Sequence, residues 1–406
     1  MSAKALIEEL EARGLIAQTT GDGALQQHLA EGSRTIYCGF DPTADSLHIG
    51  SLVPLLMLRR VQQAGHKPVA LVGGATGLIG DPSFKAAERQ LNTSEIVEGW
   101  VEKLKAQVSQ FIDFDCGVNS AEVVNNLDWV GGMSLLEFLR DVGKHFSVNQ
   151  MIQKESVKQR LDREGAGISF AEFTYMLLQS YDFSELNRRH DCTVQIGGSD
   201  QWGNITGGID LTRRMNGRQV FGLTMPLVTK SDGTKFGKTE SGTIWLDPTR
   251  TSPYAFYQFW LNCDDNDAPK LIRVFTLLAK EEIENLEKEH AEAPHKRILQ
   301  KAIAEDVTVR VHGENAYQMA VKASNILFGK AVTEDLKAID EATLLAVFQG
   351  APRTEISKAD YKNTENVSDL LAVLVGDMIF KSKGEAKKAI KAGSIGVNKA
   401  KLQSFD

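Results

Sequence analysis

Over residues 1 to about 245, short Val- and Ile-rich runs alternate with amphipathic helical stretches, and this alternation constrains the fold more than any other feature. HKPVALVGG (66–74), CTVQIGG (192–198) and FGLTMPLV (221–228) read as strands, and TIYCGF opens another at residue 35. Between them SEIVEGWVEKLKAQVSQFI reads as a helix, with Ile96, Trp100, Val101, Leu104, Val108 and Phe111 expected on one face. Strands and helices in alternation predict an α/β fold, a parallel sheet with helices on both sides. Such sheets bind ligands at the carboxyl ends of their strands, so the loops leaving these runs are where chemistry is expected.

Composition narrows the class. A length of 406 residues suits two or three domains. With 42% hydrophobic and 24% charged residues, the chain has the balance of an ordinary soluble globular protein. It has no apolar run long enough to span a membrane, and its start, MSAKALIEELEARGL, lacks the apolar core of a secretory signal. Cys38, Cys116, Cys192 and Cys263 are scattered, which suits a reducing cytoplasm and speaks against a zinc finger or a disulfide framework. A net charge of −7 speaks against a protein living mainly by nonspecific nucleic-acid binding, which is usually basic. Residues 381–406 nevertheless hold seven lysines against Glu385 and Asp406, so any nucleic acid is expected to be gripped locally.

Three regions follow in order: 1–245, a mainly helical 246–335, and 340–406 after a joint near Gly350-Ala351-Pro352. Ser252-Pro253 caps the first helix of the middle region. In the last, Ser382 and Glu385 predict a capping box, Gly393 ends that helix, and Ile395–Asn398 suggest a strand and turn.

The motifs sit on the loops. In TIYCGFDPTADSLHIGS a strand, a loop and a helix start bring His48, Gly50 and Ser51 into a first turn, a place that attracts phosphate. The plain alternative is a tightly packed helix with a surface histidine. GGATGLIGDPS (73–83) is neither G-x-G-x-x-G, because of Ala75, nor a P-loop, which counts against a dehydrogenase. In ISFAEFTYMLLQSYDF, Tyr175, Gln179 and Asp182 stand at i, i+4 and i+7, beside an apolar stripe of Phe170, Phe173 and Leu177. Three converging polar groups read as one wall of a small pocket. QIGGSDQWGN (195–204) is a further strand, glycine pair and helix start. KSDGTKFGKTE carries Lys230, Lys235 and Lys238 with Gly233 and Gly237, and reads as a cationic loop able to close over polyphosphate, or as a solvated hairpin tip.

Together these stretches resemble the class I aminoacyl-tRNA synthetases, specifically the bacterial tyrosyl-tRNA synthetase family. CGFDPTADSLHIGS resembles its HIGH segment and KFGKT its KMSKS loop. LVGGATGLIGDPS, KHFSVNQM, YMLLQSYDF and QIGGSDQWGNIT match further segments, so the likeness covers most of residues 30–260. It implies a Rossmann-like catalytic domain, a helical anticodon-side domain and a small α+β S4-like RNA-binding domain. It also implies a cytoplasmic homodimer, with the apolar segment around Phe170 near the interface. L-tyrosine, ATP and tRNA(Tyr) are the implied partners, with Mg2+ accompanying ATP and no dedicated protein metal site.

Residue by residue, the resemblance puts the phenol-reading pair on Tyr37 and Asp182, and the α-ammonium site on Asp81, Tyr175 and Gln179. Gln195 and Gln201 would orient the carboxyl end. Cys38, Gly39, Asp41, Gly50, Gly198 and Asp200 would lie along the nucleotide. Thr43, His48 and Ser51 would hold phosphate or nucleoside, and Lys235, Lys238 and Thr239 would clamp pyrophosphate with Lys85 and Arg89. Lys383, Lys387, Lys388 and Lys391 would meet RNA.

Three departures stand out. Ser51 replaces the second histidine of HIGH and is expected to contribute less. Phe236 and Gly237 occupy the middle of the lysine signature. SIGVNKAKLQSFD stops before the final strands of an S4-like unit, which is expected to be incomplete. The rivals are a tryptophanyl-type synthetase, against which Tyr37 and Asp182 speak, and a noncatalytic RNA-binding protein, against which the retained Lys235, Lys238 and His48 speak.

Overall fold

The computed structural model describes residues 3–81, 92–154, 157–158, 161, 167–234, 236–239, 242–328, 340–348, 354–374, 379–397 and 400–402. A six-stranded sheet holds β1 (Gln18–Thr19), β2 (Thr35–Phe40), β3 (Lys67–Val72), β4 (Glu122–Asn125), β5 (Cys192–Gly198) and β6 (Phe221–Met225), in the order β1-β6-β5-β2-β3-β4. All neighbours pair in parallel except β1, which runs antiparallel on β6. The expected strand 221–228 stops at Met225, because Pro226 has no N–H to give the ladder.

Helices α1 (Leu52–Gln63) and α2 (Ser94–Val108) lie in the connections that carry the chain from β2 to β3 and then to β4. Helix α3 (Phe170–His190) leads back to β5 on the other side of β2, and α4 (Trp202–Asn216) leads on to β6. The two halves are built outward in opposite directions, so right-handed crossovers put their helices on opposite faces. The direction reverses between β2 and β5, paired at Cys38 and Ile196. A crevice opens at such a reversal, beyond the carboxyl ends of the strands.

On one face Tyr37, Val69 and Leu71 pack with Phe183 and Leu186 of α3 and Leu211 of α4. Gly208 lets α4 approach, since a Cβ there would stand 3.1 Å from the Phe183 side chain. Helix α2 buries Val97, Val101, Leu104 and Val108, while Ile96 is 44% exposed. The buried row thus starts one residue later than the Ile96–Trp100 face expected from the sequence. Either apolar residue can open a row at i, i+4, and packing on the sheet selects Val97.

The chain divides into two compact units: residues 1–251 with 258–311, and residues 252–257 with 312–406. The helices of 258–311 thus go with the sheet, where the sequence suggested a boundary near 245. Arginine staples give one physical reason. Arg13 donates to the carbonyls of Arg273, Thr276 and Leu278, and Arg60 to those of Val274 and Thr276. These guanidiniums satisfy carbonyls at the end of the helix Ala268–Phe275 and oppose its dipole.

The second unit holds a small core of Leu371, Ala386 and Ile390, with Phe380, Ile395 and Leu402 against it. Ser382 caps the helix Lys383–Lys391 by accepting the Glu385 N–H at 3.2 Å, but the Glu385 carboxylate accepts the N–H of Lys381 rather than that of Ser382. The predicted capping box is therefore only half formed. Gly393 ends the helix with φ +64, and Gly396–Val397 pairs with Ala400–Lys401 as a short hairpin. Among the described residues no helix is long and apolar enough to cross a membrane.

His66, in the turn between α1 and β3, is 1% exposed. Its Nδ1 accepts the Arg34 N–H at 3.2 Å. Burial, then the Arg34 charge, lower its pKa to about 4. The folded state therefore holds this ring neutral, whereas the unfolded chain protonates it near 6.5. Its contribution is complete above pH 6.5 and is lost as pH falls toward 4, by about 3 kcal/mol. Denaturant unfolding of the wild type and His66→Gln at pH 7 and pH 4 should show the difference between them shrink by about that amount.

Candidate active site

A cavity of about 190 Å³ sits at the reversal between β2 and β5. β2 delivers Tyr37, Cys38 and Gly39 to it, Asp41 follows directly after β2, and β5 delivers Gln195 and Gly198. Helix α3 supplies Tyr175, Gln179 and Asp182, the row expected from the sequence, and Gln201 comes from the turn before α4.

Asp182 is fully buried, and both its oxygens are held. Trp129 Nε1 donates to Oδ1 at 2.9 Å, and Asn126 Nδ2 to Oδ2 at 3.1 Å. Burial pushes the carboxyl up to about 8, but an N–H donor on each oxygen holds it in the ionised form, because a protonated oxygen would turn its O–H against one of them. The Tyr37 ring packs edge-on against Phe183 with centroids 5.2 Å apart, and burial raises its phenol well above the usual range. Its hydroxyl is buried and without a partner among the described residues.

A second group of polar residues lines the same cavity. Tyr175 donates its hydroxyl to Asp41 Oδ2 at 2.6 Å, and Thr76 donates to Oδ1 at 2.6 Å. Gln201 Nε2 donates to Asp81 Oδ2 at 2.9 Å, while Gln201 Oε1 accepts from Gln179 and Asn204, each at 3.1 Å. The side-chain oxygens of Gln179 and Gln195 are buried without a donor among the described residues. Three partnerless buried polar atoms thus line one cavity, an arrangement a folded protein otherwise avoids. The site offers a hydroxyl beside a buried carboxylate, and a set of acceptors around Asp81. It suits a small ligand with a hydroxyl and a cationic group. Burial pushes the Cys38 thiol up to about 12, so it stays protonated.

The remaining expected residues are distributed as follows. Thr43, His48, Gly50 and Ser51 lie on the loop and turn between β2 and α1 and do not line this cavity. His48 is exposed, and its Nδ1 accepts the Gly50 N–H at 3.0 Å. A Cβ at Gly50 would stand 2.9 Å from the imidazole, so a larger residue there would turn the ring out of this position. The Ser51 N–H donates to the His48 carbonyl at 2.8 Å, and its hydroxyl makes no capping bond. Asp200 belongs to the 3-10 turn after β5. Lys238 and Thr239 form a two-residue strand paired with Gly242–Thr243. Their side chains, like Lys85, Arg89 and Lys235 altogether, lie outside the described residues. Lys383, Lys387, Lys388 and Lys391 are all exposed, and Lys383 pairs with Asp369 at 2.9 Å. Among the described residues, no group of three or more His, Cys, Asp or Glu side chains could hold a metal ion.

Sequence reasoning missed Asn126, Trp129, Thr76 and Asn204. The available signal for the first two was the polar pair Asn125-Asn126 after Val123-Val124 of β4, with a tryptophan four residues past the strand, again at the carboxyl end of a strand.

A family model described as tRNA synthetases class I (W and Y) matches residues 29–329. A tyrosine–tRNA ligase of Aliivibrio salmonicida is 59% identical over 398 residues, 98% of this chain and 91% of that protein. One of Chromobacterium violaceum is 57% identical over 406 residues, covering 100% and 93%. Among solved structures, a C-terminally truncated mitochondrial tyrosyl-tRNA synthetase of Aspergillus nidulans superposes with a TM-score of 0.72 at 30% identity, over 80% of this chain and 94% of that one. With its Rossmann-like sheet and this cavity, the chain belongs to the class I aminoacyl-tRNA synthetases, among the bacterial-type tyrosyl-tRNA synthetases.

Proposed function

We propose that this chain activates L-tyrosine with ATP and passes the tyrosyl group to the 3′-terminal ribose of tRNA(Tyr). The observation carrying this reading is the cavity in which Tyr37, Gln179 and Gln195 leave buried polar atoms without partners among the described residues, beside the buried Asp182. A phenol can donate to Asp182 and accept from Tyr37. An α-ammonium has three donors, for Asp81, Tyr175 and Gln179. An indole has no hydroxyl for the Tyr37–Asp182 pair, which favours tyrosine over tryptophan.

In this reading the tyrosine carboxylate attacks the α-phosphorus, an O–P bond forms, and the bond to pyrophosphate breaks. The ribose hydroxyl then attacks the mixed anhydride and AMP leaves. No enzyme nucleophile is used, so the residues act by position and charge. Because His48 Nδ1 accepts from Gly50, the ring proton of the neutral imidazole is on Nε2, the atom that would donate to a phosphate oxygen. Asp200, Cys38 and Thr43 would meet the nucleotide, and Ser51 less than histidine would. Lys235 and Lys238, on a loop with glycines at φ +81 and +85, would neutralise the departing pyrophosphate with Lys85 and Arg89. Mg2+ would arrive with ATP. The exposed Lys387, Lys388 and Lys391 would meet tRNA phosphates in an S4-like manner. The chain would work as a cytoplasmic homodimer.

Charging of tRNA(Tyr) with radiolabelled tyrosine tests the whole sequence. Label should enter tRNA only when ATP is present, and tryptophan should not replace tyrosine. ATP-dependent charging with tryptophan would overturn the assignment.

A further inference from the structure

The segment after the lysine loop is stitched to the turn that opens α1. The Ile49 N–H donates to the Ile244 carbonyl at 2.9 Å, and the Leu246 N–H donates to the Leu47 carbonyl at 2.9 Å. His48 and Trp245 form an isolated antiparallel bridge between these two bonds. This is the non-hydrogen-bonded type of pair, in which the two side chains come closest. The Ile244 N–H also donates to the Gly237 carbonyl at 3.1 Å, so the same strap holds the lysine loop.

The side chains continue the stitching. The Trp245 and His48 rings meet edge to face, with centroids 6.4 Å apart at 64°. Arg250 Cζ lies 3.8 Å from the Trp245 ring centroid. Arg250 is tied in turn to Asp45 at 2.8 Å, three residues before His48, and Asp45 also pairs with Lys103 at 2.9 Å. The backbone N–H of Trp245 donates to Thr251 Oγ1 at 3.0 Å. The indole is therefore held between the imidazole and a guanidinium anchored in the His48 loop itself.

We infer that Trp245 is a positioning residue for nucleotide activation, acting through His48. The Gly50 N–H selects the tautomer of the imidazole, and the indole sets the plane in which Nε2–H points. A donor held in advance toward a phosphate oxygen needs no reorganisation as charge builds there. The inference rests on the reading of His48 as a phosphate donor.

The test is a double-mutant cycle: Trp245→Leu and Trp245→Phe, each alone and combined with His48→Asn. Two quantities are read, single-turnover formation of the adenylate and equilibrium binding of tyrosine without ATP. Trp245→Leu should slow adenylate formation about tenfold and leave tyrosine binding unchanged, and Trp245→Phe should recover most of the rate. In the His48→Asn background Trp245→Leu should cost nothing further. An equal loss in both backgrounds would overturn the inference while leaving His48 its role. A wild-type rate for His48→Asn would overturn the phosphate reading of His48, and this inference with it. Should Trp245→Leu not fold, Arg250→Gln takes its place, with a loss of about threefold expected only when His48 is present.

Discussion

Asp182→Asn should lower kcat/KM for tyrosine activation by about 10²–10³ while leaving the KM for ATP unchanged. The carboxylate accepts from Trp129 on one oxygen and from Asn126 on the other. An asparagine has one acceptor and one donor group, so whichever way it turns, its NH2 faces a donor. One of the two bonds is lost in a site from which Asp182 is fully excluded from solvent. The tyrosine phenol then meets a displaced amide in place of a fixed carboxylate. Steady-state kinetics of adenylate formation measure the change, and an effect confined to the ATP KM would contradict the geometry. The same geometry governs phenylalanine, which leaves the buried Tyr37 hydroxyl without a ligand partner and makes no phenol bond to Asp182. Rejection by about 10⁵ is expected, a figure that comes from tyrosine-selecting synthetases themselves rather than from these distances.

Gly237→Ala should slow tyrosine activation by about 10–10² without changing tyrosine affinity. Gly237 has φ +85, a conformation that costs a residue with a side chain about 1–2 kcal/mol. A Cβ there would also collide with Ile49 Cγ2. The strain has one relief, which is to move the lysine loop away from the His48 turn. Rapid-quench measurement of adenylate formation, with tyrosine binding as the control, separates this from damage to the cavity. A drop in tyrosine affinity equal to the drop in rate would show that the cavity, not the loop, had moved.

The parts of the fold legible in the sequence were those whose signal is local. β2, β3 and β5 are runs of apolar and β-branched residues, and the loops at their carboxyl ends carry the chemistry. The row Tyr175, Gln179 and Asp182 was legible because helical spacing alone puts it on one face. β1 has two residues and β4 four, too short to carry a pattern, and both exist because an edge of the sheet accepts them. Asn126 and Trp129 were missed for the same reason. Asn126 follows β4 directly and Trp129 lies in the turn after it, and their partner Asp182 is more than fifty residues away in sequence. Lys383 pairs with Asp369 on another helix, a contact that the local lysine spacing does not announce. The strap between Trp245 and His48 joins segments about two hundred residues apart, and nothing in either segment announces the other.

Amino-acid-dependent exchange of radiolabelled pyrophosphate into ATP, without tRNA, tests the central claim most directly. Tyrosine, phenylalanine and tryptophan are compared at equal concentration. The cavity predicts exchange with tyrosine and almost none with the other two. Equal exchange with tyrosine and phenylalanine, or exchange with tryptophan, would contradict the role given to Tyr37 and Asp182.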